Sequence, residues 1–420
     1  MLAVLTWGGV AVWNTVKPLP AGTRVASLTV RLNESQLAVI DAGRAPAHRS
    51  DVLTRELEII DRADQMIILD QTPLAREVGQ HLLIRKRQRP DIKIVVLADP
   101  LPEIYGGTPA HYLDSLERAG IIVARVRLNR LRDPLPWFSA LWRMGIGWWS
   151  DPYDETAPRA GFRSSLRRSN RKFDGRQLLV ADDGAGAWVG VVPAAVRGVA
   201  VTIAGGVARD MAASELKIAA WSTDDDRLPG APPAAGRGVG SVDARFLSEG
   251  AIRGALVDAF ATAVDGDDIR LATPALSDRA LLAAALGAAA RGARLRILLD
   301  PDARPNGTVA GELLGKGEGR IEVRWSAAGA LSSSWAIVRH RRELWVNLGA
   351  ADFTRLSLDD FNLSAALDLR LEDRTAAARE FTQGFDALWA DSVPAASESA
   401  GDAPGYWSYR VLQALGLAAY

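Results

Sequence analysis

The chain has no cysteine in its 420 residues, which excludes a disulfide framework, a thiolate nucleophile and a thiolate-bound zinc. Histidine is also scarce: His48, His81, His111 and His340 are all there is for imidazole chemistry. Fifty lysines and arginines cancel fifty aspartates and glutamates, so no net field draws the chain to nucleic acid or an anionic surface, and any attraction must be local. There is no GxxxxGK[ST] loop and no GxGxxG set between a strand and a helix, so nucleotide binding has no support. Carboxylates and histidines nowhere fall at metal-ligand spacing, so neither a metal nor another cofactor is expected. Long apolar runs are absent too. The nearest, residues 1–16, is uncharged up to Lys17, but sixteen helical residues reach about 24 Å against a hydrocarbon core of about 30 Å. It reads either as the stub of a membrane anchor or as an apolar segment docked on the body.

What is present is a large hydrophobic complement, 48% of residues, and a plan that repeats. Residues 51–63 have helical periodicity, 66–69 read as a buried strand, 73–87 as an amphipathic helix, and 92–97 as a strand ending in Asp99-Pro100. Residues 250–264, 269–272, 277–291 and 294–299 repeat that order and end in Asp300-Pro301, 201 residues after Asp99. A period of about half the chain indicates two domains of one fold, each expected to hold a mostly parallel sheet covered on both faces. Residues 223–240 (TDDDRLPGAPPAAGRGVG) read as a linker or surface loop. The expected division is therefore an anchor stub 1–16, a first half 17–222, the linker 223–240, a second half 241–394 and an aromatic, apolar tail 395–420.

Late in each half stand a strand, a turn and a strand: LLVADDGAGAWVGVV (178–192) and WAIVRHRRELWVNLGAADFTRLSLDDFNL (335–363). The chain resembles the phospholipase D superfamily, in which each half contributes HxK, four residues, D, and then GSxN. It is most similar to bacterial members that begin with a membrane segment and a Lys-Pro-Leu-Pro stretch, as in Lys17 to Pro20, and that carry Phe-Thr-Arg and Asp-Asp-Phe-Asn-Leu, as in Phe353 to Arg355 and Asp359 to Leu363. The resemblance implies an α/β fold with two pseudo-repeated phospholipase D-like α/β/α sandwich domains facing each other around one active site, behind a short N-terminal apolar segment. There, one imidazole attacks phosphorus, the other protonates the leaving oxygen, and lysines with Ser and Asn donors hold the phosphoryl oxygens.

The chain departs from that pattern at the reacting groups. Gly175, Gln177 and Asp182 stand at the His, Lys and Asp positions of the first motif; Ser333, Trp335 and His340 stand at those of the second. Gly349 to Asp352 replaces GSxN. Glycine has no side chain, and a serine without a base is a poor nucleophile, so no catalytic residue is expected at these positions. His340 reads either as a displaced acid or base oriented by Asp182 of the other half, or as part of a solvated basic turn. Asp182-Asp183-Gly184 reads as a turn. A basic run with Arg163, Arg167, Arg168, Arg171, Lys172 and Arg176 is the candidate for binding a phosphate-bearing ligand. Trp137, Trp142, Trp148 and Trp149 next to it suit either a membrane interface or core packing. The leading expectation is a membrane-associated pseudoenzyme, at the bacterial inner membrane or otherwise cytoplasmic, that binds a phospholipid head group, another phosphodiester or a protein partner. The alternatives are an active phosphodiesterase of phospholipase D or cardiolipin synthase type using other residues, and a nucleic-acid-binding protein.

Overall fold

The computed structural model describes residues 2–41, 48–99, 110–144, 172–183, 187–193, 199–233, 236, 238–303, 306–327 and 331–395. Two β-sheets flanked by helices make up the body. The smaller is ordered β2 (Leu37–Asp41), β9 (Val199–Ala204), β8 (Trp188–Val192), β7 (Leu178–Asp182), β3 (Met66–Asp70), β4 (Lys93–Ala98) and β5 (Ile122–Arg125). The larger is ordered β1 (Val30–Leu32), β10 (Val242–Ser248), β16 (Leu363–Glu372), β15 (Glu343–Gly349), β14 (Ser334–His340), β11 (Asp268–Thr273), β12 (Arg294–Leu299), β13 (Ile321–Trp325) and β17 (Val393–Pro394), with β6 (Asp174–Gly175) pairing beside β16. From β2 to β5 and from β10 to β13 the run of pairings is the same: antiparallel through the hairpins, then parallel across the last three strands. The mostly parallel sheets expected from helix–strand alternation are thus mixed. Short turns permit only antiparallel neighbours, while the helical crossovers before β4, β5, β12 and β13 produce the parallel pairs.

Side-chain alternation along the strands sorts the core into layers. In β7, Leu179 and Ala181 face out onto α2 (His48–Arg62), α3 (Arg76–Gln88) and α4 (Ala110–Arg118), whereas Leu178 and Val180 face inward. In β14, Ala336 and Val338 face α7 (Gly250–Thr262), α8 (Arg279–Ala290) and α9 (Asn306–Lys316), whereas Trp335 and Ile337 face inward. The inward faces share one core, which also takes up Met211 and Leu216 of α6 (Gly206–Ser222) and Phe381 and Phe385 of α10 (Ala376–Ala390). Strands clothed on both faces have no polar side to show, which is why these runs read as unbroken Ile, Val and Leu.

The expected membrane placement is overturned. Residues 2–16 form α1 (Leu2–Val16), about 22 Å long, and among the described residues no helix is long and apolar enough to cross a membrane. Instead α1 lies against α5 (Pro136–Met144): Trp7 Nε1 donates to the Trp137 carbonyl at 3.1 Å, and the two indoles stand 5.1 Å apart.

Candidate functional site

The seam between the sheets is closed by one guanidinium. Arg176 follows β6 and is completely buried, and each of its side-chain N–H groups can be matched with an acceptor. Nε and Nη2 donate to Glu249 Oε1 at 3.1 and 2.8 Å, Nη1 to Glu215 Oε1 at 2.6 Å and to Ser214 Oγ at 2.8 Å, and Nη2 also to the Gly22 carbonyl at 2.7 Å. Glu215 and Ser214 lie on α6, which packs on the smaller sheet; Glu249 directly follows β10 of the larger one. Glu249 also accepts the Arg24 and Ser364 amides at 2.6 and 3.0 Å. Burial opposes the Arg176 charge, but the flanking carboxylates outweigh it and hold the guanidinium above its ordinary value.

One cation does not balance the carboxyls around it. Asp70 and Asp174 are buried beside Glu215, and Asp99 accepts the Asp174 amide at 2.7 Å. Burial, then the neighbouring charges of Glu215 and Asp99, push the Asp174 carboxyl up to about 8; burial, then Asp174 and Glu215, raise Asp70 as well. Near neutral pH the Asp174 carboxyl is therefore held largely protonated.

Basic groups gather at the mouth of the seam rather than inside it. Asp360 accepts the Gly250 amide at 2.9 Å and pairs with Arg24 at 3.4 Å and Arg132 at 3.5 Å; the side chain of Arg24 is 55% exposed. Nearby, buried Asp133 pairs with Lys172 and with Arg143, and the Lys17 ammonium donates to the Asn129 carbonyl at 2.8 Å. Burial, against the pull of Asp133, brings Lys172 down to about 7 and Lys17 to about 8. Among the described residues, four of the six non-glycine positions with positive φ border this region: Arg24, Gln177, Glu249 and Asp360.

The residues singled out in the sequence fall into separate places. Gly175 pairs with Ser364, and Gly349 with Ala366, so both lie against β16. A side chain at Gly349 would meet the Ala365 carbonyl, and one at Gly175 the Phe173 ring. Gln177 donates to the Thr72 carbonyl at 2.6 Å. Ser333 is buried, and Trp335 packs edge-on against Phe385 with ring centres 5.8 Å apart. Asp182 accepts the amides of Asp64, Gln65 and Met66 and so pins the turn before β3. His340 does not meet Asp182. It pairs with Asp267 at 2.9 Å, at the far end of β14, about 20 Å along the strand from Ser334. Asp352 accepts from Thr354 and Ser357, and burial raises its carboxyl. Lys172 and Arg176 turn inward to carboxylates, while Arg163, Arg167, Arg168 and Arg171, with Trp148 and Trp149, lie outside the described residues. The reading of residues missed Glu215, Glu249, Asp70 and Arg24. A glutamate within the apolar run of α6 was the available signal, since an unpaired carboxylate is rarely buried there. Among the described residues no cluster of His, Cys, Asp or Glu has the geometry to hold a metal ion.

No protein-family model matches the chain, and no curated protein sequence does. Solved structures do. The chain is similar to phosphatidylserine synthase from Haemophilus influenzae at 10% identity, over 99% of this chain and 100% of that one, with a TM-score of 0.60. It is similar to polyphosphate kinase from Porphyromonas gingivalis at 12% identity, over 96% of this chain and 57% of that one, with a TM-score of 0.53. The phospholipase D family member Nuc from Salmonella typhimurium overlaps 36% of this chain and 97% of its own at 15% identity, with a TM-score of 0.29. At these identities the likeness is one of fold alone.

Proposed function

We propose that the chain consists of two pseudo-repeated phospholipase D-like halves, about 17–222 and 241–394, meeting face to face at a seam that performs no phosphoryl transfer. The protein instead binds a phosphodiester, such as a phospholipid head group, at the mouth of the seam beside Arg24 and Arg132. The observation that carries this reading is the burial of Arg176 between Glu215 and Glu249, next to the positions where the resemblance calls for imidazoles. With Gly175 and Ser333 at the nucleophile and acid positions, the seam offers neither a nucleophile nor an open clamp for phosphoryl oxygens. Further support is the left-handed backbone at Arg24 and Asp360, because strain of this kind persists only where surroundings enforce it and gathers at ligand clamps.

Two measurements test it. Bis(p-nitrophenyl) phosphate and a dispersed phospholipid should give no turnover above blank; turnover above blank would overturn the reading. Titration calorimetry with a soluble short-chain phosphatidyl lipid should detect binding that R24A/R132A weakens about tenfold, as expected for lost charge-assisted contacts. Binding equal in the variant and the parent would remove the mouth as the site.

A further inference from the structure

The end of the larger sheet away from the seam carries a second basic feature. β14 and β15 meet there in a hairpin whose tip is His340, Arg341 and Arg342. The tip opens on a basin of about 750 Å³ lined by the guanidiniums of Arg31, Arg341, Arg342, Arg370 and Arg374 and by the His340 ring. That volume is within the range of small-ligand sites. Three of the arginines are partly neutralised at the rim: Arg31 by Asp243 at 3.4 Å, Arg370 by Glu343 at 3.8 Å and Arg374 by Glu372 at 2.7 Å. Arg341 and Arg342 have no ion pair among the described residues, although they are adjacent and like-charged. Arg341 moreover has φ +53°, a left-handed position where glycine or asparagine is the ordinary choice at a hairpin turn.

His340 is fixed within this setting. Its Nδ1 lies 2.9 and 3.1 Å from the two carboxylate oxygens of Asp267, which is 5% exposed, while the His340 side chain is 47% exposed. A carboxylate on one ring nitrogen sets the orientation and leaves Nε2 for a ligand.

We propose that this basin binds a small phosphate-bearing anion of the pyrophosphate or oligophosphate kind, with Arg341 and Arg342 as its main contacts. A single carboxylate facing this wall would gain little, because one exposed ion pair is screened and the wall already holds Asp243, Glu343, Glu372 and Asp373. A compact multivalent anion can engage both unpaired guanidinium forks at once, in the geometry that suits phosphate oxygens. The basin is remote from Arg24 and Arg132, so its occupancy does not depend on the seam.

The experiment is calorimetric titration of the full chain with pyrophosphate at low ionic strength, alongside R341A/R342A and R24A/R132A. Arg341, Arg342 and Arg24 are exposed and Arg132 is half-buried, and circular dichroism checks that each double variant is folded. The expected result is saturable binding, weakened at least tenfold by R341A/R342A and less than twofold by R24A/R132A. Absent binding by the parent chain, or equal affinity in R341A/R342A, would overturn the proposal. So would a larger loss in R24A/R132A, which would assign the anion to the seam mouth instead.

Discussion

Replacing Arg176 with alanine should destabilise the protein more than any single surface change, and the size of the effect follows from its partners. The guanidinium is completely buried and donates to Glu215, Glu249, Ser214 and the Gly22 carbonyl. Removing it strands two carboxylates in a dry interior, for which breaking a buried ion pair costs about 3–5 kcal/mol. That is a large part of the roughly 5–15 kcal/mol that holds a typical domain folded. R176K keeps a charge but presents three donors on a point cation in place of a planar fork, so it should recover only part of the loss. Because the partners lie on both sheets, the loss should also uncouple them. Urea unfolding followed by tryptophan fluorescence and by far-ultraviolet circular dichroism should coincide for the parent and separate for R176A. An R176A midpoint within about 1 kcal/mol of the parent, with coincident transitions, would refute the view of Arg176 as the tie across the seam.

Other expectations follow from neighbouring groups. The Asp174 carboxyl, raised from 3.8 to about 8, favours the fold when protonated, so its contribution is complete below pH 3.8, falls as pH rises toward 8 and is spent above. D174N should therefore match the parent near pH 4 and exceed it at pH 8, the gap widening by up to ~1.4 kcal/mol per pH unit; parallel stability curves would contradict this. D182A strands the amides of Asp64, Gln65 and Met66 and should cost about 2–3 kcal/mol in denaturant melts, whereas H340A, whose side chain is 47% exposed, should cost under about 1 kcal/mol. Restoring the second motif as S333H/W335K should yield no hydrolysis of bis(p-nitrophenyl) phosphate and should lower stability by about 3–5 kcal/mol, since Trp335 fills the inner core against Phe385.

The strands and helices were legible because each has a single environment along its length. The expected strand over 92–97 is β4, Lys93–Ala98, and the expected helix over 277–291 is α8, Arg279–Ala290, where Asp278 accepts the Leu281 amide as the cap. Asp360 and Asn362 of the Asp-Asp-Phe-Asn-Leu stretch join distant segments, Asn362 Oδ1 accepting the Phe173 amide at 3.1 Å. What the sequence hid was the fate of charge. Lys172 and Arg176 sat in a run of arginines that read as a candidate for binding phosphate, yet their carboxylate partners are remote in the chain: Asp133 lies 39 residues before Lys172, and Glu249 follows Arg176 by 73. Spacing along a chain cannot reveal a partner delivered by tertiary packing. His340 failed as a displaced catalyst for a simpler reason: a seven-residue strand carries it away from the seam.

The electrostatics of the seam tie these observations together. A phosphodiester cradle needs surplus positive potential, yet the interior beside Gly175 holds one guanidinium against Glu215, Glu249, Asp174, Asp70 and Asp99. Arg176 is fully committed to Glu215, Glu249, Ser214 and the Gly22 carbonyl, so none of its own N–H groups is left for an incoming phosphate. A histidine returned to position 175 would first have to displace the Phe173 ring, 2.4 Å from where its Cβ would sit, and would then face carboxylates rather than lysines. On the reading proposed above, the sheets meet over an ion-pair lattice of Arg176, Glu215 and Glu249, whose surplus of carboxyls disfavours an anion in the interior. The proposal accordingly places a phosphate-bearing ligand outside it, where Arg24 and Arg132 share the single carboxylate of Asp360.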